Sequence, residues 1–80
     1  MKEFIEINAS GNWDDDLQDY LFEDVDRPAY FSTDIIEWFE INHDDMSVIF
    51  GCRGYTTVFK STNSTAVAWF IARKNRWKDE

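Results

Sequence analysis

Apolar and polar positions alternate over residues 2–8 (KEFIEIN). Phe4 and Glu6 take one side and Ile5 and Ile7 the other, which predicts a strand with one well-buried face. Ser10-Gly11-Asn12 reads as a turn, with Asn12 placed to cap a helix. Trp13, Leu17, Tyr20, Leu21 and Val25 then recur at helical spacing, and Asp14, Asp15 and Asp16 fall in a first turn whose dipole favours acids. A helix over 13–25 is expected, ended by Arg27-Pro28 because the residue before proline is pushed out of the α region.

Residues 29–31 (AYF) are too short to assign. Ser32 is placed to cap a second helix over 33–43 that turns Ile35, Ile36 and Phe39 inward. The same run, IIEWFEIN, has the β-branched and aromatic content of a strand, so both readings stand. Asn42-His43-Asp44-Asp45 is a turn or helix end. MSVIF and YTTVFK flank Gly51-Cys52-Arg53-Gly54, which predicts a β-hairpin over 46–60. Ala66, Val67, Trp69, Phe70, Ile71 and Ala72 form a third helix, about 64–77, apolar around most of its girth. The order β-α-α-β-β-α predicts an α+β fold, a three-stranded antiparallel sheet with helices mainly on one face. Strand 2–8 is free to pair with either arm of the hairpin.

Eighty residues make a single domain. Its charge is uneven. Residues 1–45 carry fourteen acids against Lys2 and Arg27, net −12, while residues 46–80 carry two acids against six bases, net +4. In one body the two parts become two faces. A hydrophobic content of 44% and an aromatic content of 18% argue against an acidic disordered tail. No apolar run is long enough to span a membrane, MKEFIEIN lacks the apolar region of a secretory signal, and one cysteine fits a reducing cytoplasm. The net charge of −8 argues against direct binding of nucleic acid. Fourteen aromatic rings exceed what a core this small hides. Some of Trp13, Tyr20, Tyr30, Trp38, Tyr55, Trp69 and Trp77 are therefore expected at the surface, where aromatics beside charges mark interfaces.

Catalytic chemistry finds little footing. A Cys52–His43 pair has no motif behind it, and consecutive aspartates such as Asp14-Asp15-Asp16 diverge by about 100° on a helix. EF-hand, HExxH and paired-cysteine zinc spacings are missing, as is a glycine-rich phosphate loop. No enzyme activity, metal or cofactor is expected.

The acidic pattern is the informative feature. As helices, 13–25 and 33–43 would present stripes of like charge: Asp15, Asp19, Glu23 and Asp26, flanked by Asp14 and Asp16, and then Asp34, Glu37, Glu40 and Asp44 with Asp45. Such stripes cost stability and ask for an external reason. Duplex DNA carries one charge per roughly 1.7 Å of axis, so a dozen carboxylates match about 20 Å of it. Trp13, Tyr20 and Trp38 are the candidate aromatic anchors beside this face. A small, acidic, aromatic-rich chain carrying WDDDLQDYLFEDVD (13–26) and the cluster Asp34 to Asp45 resembles, in character, the DNA-mimic inhibitors encoded by phages: anti-restriction, anti-CRISPR and host-takeover proteins. That group shares no motif or fold, so the resemblance implies a mode of action and no residue roles. It implies a cytoplasmic inhibitor of the basic nucleic-acid-binding groove of a host nuclease, polymerase, clamp or CRISPR effector. The alternative is a general protein–protein interaction module or oligomer subunit using the apolar C-terminal helix and exposed aromatics. The +4 part leaves room for a homo-oligomer.

Overall fold

The structure, a computed structural model, describes residues 3–78 and the side chains of residues 3–74. Five strands and one helix follow in order: β1 (Phe4–Asp14), β2 (Asp19–Ser32), a single 3-10 turn (Thr33–Ile35), β3 (Ile36–Asn42), β4 (Ser47–Cys52), β5 (Val58–Ser61) and α1 (Ser64–Lys78). The strands form one antiparallel sheet in the order β2-β1-β5-β4-β3. This corrects the expected three-stranded β-α-α-β-β-α fold. The segments 13–25 and 33–43 are not helices, and the sheet has five strands.

Local chemistry explains both corrections. In 13–25 the aspartates form a turn, not the start of a helix. Asp14 Oδ1 accepts the N–H groups of Asp16 (2.9 Å) and Leu17 (3.1 Å), and Gln18 completes the reversal at φ 55°. Pairing Trp13 with Tyr20 and Asn12 with Leu21 then disperses the acids that a helix would have aligned. Gly11, expected in a turn, lies within β1, where a Cβ would collide with the Leu21 carbonyl. In 33–43, Ser32 does cap, but only the single 3-10 turn, by accepting the Asp34 N–H at 3.3 Å. The β-branched and aromatic run that follows is β3, paired to β4. Pro28 ends no helix either. It lies in β2, a free edge of the sheet, where a missing N–H is tolerated.

The hairpin arms pair as expected, with Phe50 opposite Phe59. The turn between them is wider: Tyr55 N–H donates to the Cys52 carbonyl at 3.1 Å, and Gly54 has φ 87°. Asn63 caps α1, accepting the N–H groups of Thr65 (3.0 Å) and Ala66 (3.1 Å). Expectations for the side chains of Arg76 and Trp77 lie outside the described residues.

The main core lies between α1 and one face of the sheet. Ile5, Ile7, Val48, Phe50, Cys52 and Phe59 meet Ala66, Val67 and Phe70 there. The pairing of β1 with β2 is irregular. Residues 4–7 pair with 29–32, but 9–14 pair with 19–24, so 25–28 bulge out opposite Asn8. Beyond it Ser10, not Ala9, lies opposite the core residue Phe59, and Ala9 and Gly11 join Lys60 and Val58 on the far face.

Candidate functional site

The far face is built around two glycines and four rings. Gly51 of β4 lets the Trp38 indole lie directly on the backbone, and Gly11 of β1 does the same for the Phe22 ring, whose Cδ1 would stand 2.9 Å from an added Cβ. Tyr20 stacks on Trp38 with ring centroids 6.3 Å apart and an interplanar angle of 28°. Trp13 meets Tyr20 edge-on at 5.2 Å, and Phe22 lies 6.0 Å from Tyr20. Tyr20 and Trp38 come from β2 and β3, the two outermost strands, which in a flat sheet would stand about 19 Å apart. Their contact requires the sheet to curl and both rings to reach inward. The structure therefore places Trp13, Tyr20 and Trp38 in one cluster, with Trp13 half exposed and Trp38 exposed at its edge.

Acidic residues border this cluster. Asp19 from the start of β2, Glu40 from β3 and Asp44 from the β3–β4 turn line one open cleft of about 590 Å³, floored by Phe22, Ile49 and Lys60. All three are exposed. His43 shares the cleft. Asp45 stands at its edge, with Oδ2 3.9 Å from Lys60 Nζ. Asp45 Oδ1 also accepts the Ser47 hydroxyl at 2.6 Å and the Ser47 N–H at 3.1 Å. These bonds, the hydroxyl first, and the nearby ammonium hold its carboxyl below the ordinary range. Lys60 also sits 5.6 Å over the Phe22 ring, so the lysine of the cleft is engaged on two sides.

The remaining expected acids stand elsewhere, which corrects the two-helix acidic face. Asp14, Asp15 and Asp16 form the β1–β2 turn, where Asp15 accepts the Trp13 indole N–H at 2.9 Å and is tied to the aromatic cluster. Glu23 lines a separate hollow with Leu21 and Ser10. Asp26 is in the bulged stretch of β2. Asp34 is in the 3-10 turn, and Glu37 stands near enough to Cys52 to act on its thiol. Two features escaped the sequence reading: Phe22 and the close approaches at Gly11 and Gly51. A glycine inside an alternating strand pattern signals close approach of another group, and Gly11 and Gly51 carried that signal.

The structure does not bring His43 and Cys52 together. His43 precedes β4 and Cys52 is its last residue, so the two lie toward opposite ends of that strand. Cys52 is buried, and desolvation, reinforced by the Glu37 charge, pushes its thiol up to about 11, away from the reactive thiolate. Among the described residues no three His, Cys, Asp or Glu side chains converge to hold a metal ion. Among them, too, no helix is long and apolar enough to cross a membrane.

No protein-family model, curated protein or solved structure gives a significant match to this chain.

Proposed function

We propose that the protein is a non-enzymatic cytoplasmic inhibitor that docks its far face into the basic groove of a nucleic-acid-handling host protein, its carboxylates standing in for phosphates. The observation that carries this reading is the juxtaposition of exposed Asp19, Glu40 and Asp44 with the contiguous rings of Trp13, Tyr20 and Trp38. Rigid aromatic anchors supply affinity at an interface, and an array of like charge around them supplies steering and partner choice. Lys60 is spent largely on Asp45, so Asp19, Glu40 and Asp44 keep the cleft net negative. The molecule extends 37 Å along its longest axis, ample for the roughly 20 Å of duplex that a dozen charges match.

The test is capture from bacterial lysate on immobilised protein, with elution by salt and by duplex DNA. The expected partner is a nucleic-acid enzyme that both displace, and the combined Asp19→Asn, Glu40→Gln, Asp44→Asn variant binds it at least about tenfold more weakly. A partner that survives salt and DNA and ignores this variant overturns the reading. The second reading, a general interaction module, is favoured by three exposed apolar residues, Trp13, Leu17 and Leu21, on the β1–β2 hairpin. It draws little on α1, whose Ala66, Val67 and Phe70 are buried in the core. A salt-tolerant partner lost on Trp13→Ala supports that reading.

A further inference from the structure

Away from the far-face cleft, a second hollow opens where α1 begins. β5 pairs with β1 only at residues 9–11, so the first residues of β1 have no strand on that side. The start of α1 stands beside them instead. The space between, about 450 Å³, falls within the range of small-ligand sites. Phe4, Tyr30 and Trp69 supply aromatic walls, and Glu3 and Glu6 supply two carboxylates. Among the described residues, no lysine, arginine or histidine lines it.

Each carboxylate is held by neutral donors. Glu6 Oε1 accepts the Tyr30 hydroxyl at 3.2 Å, and Glu6 Oε2 accepts the Asn63 side-chain N–H at 2.7 Å. Glu3 Oε2 accepts the Trp69 indole N–H. The Tyr30 phenol is raised above its ordinary value, first by its bond to Glu6 and then by that carboxylate's charge, so it remains a neutral donor. These donors are all neutral, so none of them offsets the negative charge that the two carboxylates bring to the hollow. Trp69 already engages a cation on the adjoining hollow, where the Arg73 guanidinium sits 5.5 Å from the ring.

We propose that this hollow is a binding site for an alkylammonium cation, with methylated or quaternary nitrogen preferred over a bare ammonium. A methylated nitrogen has few or no N–H groups to satisfy, sheds water easily and is drawn both to ring faces and to negative charge. Phe4 and Tyr30, 60% and 62% exposed, form the open side through which such a group enters.

The probes are choline, its neutral carbon isostere dimethylbutanol, and Nα-acetyl-trimethyllysine amide, titrated into the ¹⁵N-labelled protein. Choline and the trimethyllysine amide are expected to shift the Trp69 indole N–H signal saturably, and dimethylbutanol is not. The tighter of the two cations identifies a free or a peptide-borne source. Glu6→Gln retains an acceptor for Tyr30 and is expected to weaken binding about tenfold, the scale of a charge-assisted contact. Phe4→Ala, at an exposed position, weakens it with the fold intact by circular dichroism. Equal shifts with dimethylbutanol, unchanged affinity in Glu6→Gln, or no saturable shift at Trp69 overturns the proposal. None of these outcomes depends on the far-face cleft.

Discussion

Gly11 and Gly51 look alike in the sequence but are constrained by different neighbours. A Cβ on Gly11 would meet the Leu21 backbone carbonyl, whereas one on Gly51 would meet the Trp38 indole. Backbone in a paired strand cannot step aside without breaking the ladder, but an indole 37% exposed can swing into solvent. Gly11→Ala is therefore expected to cost about 3 kcal/mol and Gly51→Ala about 1 kcal/mol, the two ends of the range for overpacking. Urea denaturation separates them. Gly51→Ala should also lose near-ultraviolet dichroism, since the Tyr20–Trp38 stack depends on the ring lying flat. The reverse order of stabilities would show that ring packing, not strand spacing, limits this face.

Among the elements, α1 and the β4–β5 hairpin were legible because pattern and pairing agree. The apolar run 66–72 contains the residues that bury α1, and Phe50 and Phe59 meet across the hairpin. Phe70 is fully buried, with rings of Trp69 and Phe39 at 4.9 Å and Phe50 at 5.3 Å. Phe70→Ala is expected to cost about 3–5 kcal/mol. That rivals the total stability of many small domains, so the variant should melt far below the parent or not fold, as read by circular dichroism. The β1–β2 hairpin was illegible for a definite reason. Trp13, Leu17, Tyr20 and Leu21 satisfy a helical period by coincidence, while the matter is decided by the Asp14 side-chain turn, two to three residues long, and by strand pairs five to fifteen residues apart. For β3 the composition already spoke for a strand, and the good cap at Ser32 served only one turn.

For the molecule as a whole, eleven of the fourteen acids of residues 1–45, all but Glu3, Glu6 and Asp14, lie on the two outermost strands and the turns beside them rather than on two helices. Charge on a free edge discourages strand addition by another copy, so part of this acidity protects β2 and β3. Its cost is self-repulsion in the folded state. The melting temperature is expected to rise from low salt to roughly 0.5 M NaCl, where the screening length falls to ~4 Å. Asp19→Asn with Asp44→Asn should reproduce part of that rise at low salt, because both carboxylates line the Lys60 cleft and outnumber its base. A salt-independent melting temperature would mean that the acids lie too far apart to repel.

The sequence by itself determined the properties that are sums or local patterns. These are one small domain, a strongly acidic first part, a strand at the start, a hairpin near 46–60, a helix at the end and more aromatic rings than the core could hide. The tertiary structure decided which acids are neighbours. Asp19, Glu40 and Asp44 share a cleft although they lie on three different segments, and Tyr20 reaches Trp38 although three strands separate β2 from β3. It also made the hollow beside α1, which joins Glu3 and Glu6 to Asn63 and Trp69. Side-chain periodicity reports only which residues share a face of one element. Which faces meet is set by register, by the bulge opposite Asn8 and by the curl of the sheet, all of which are interactions between segments.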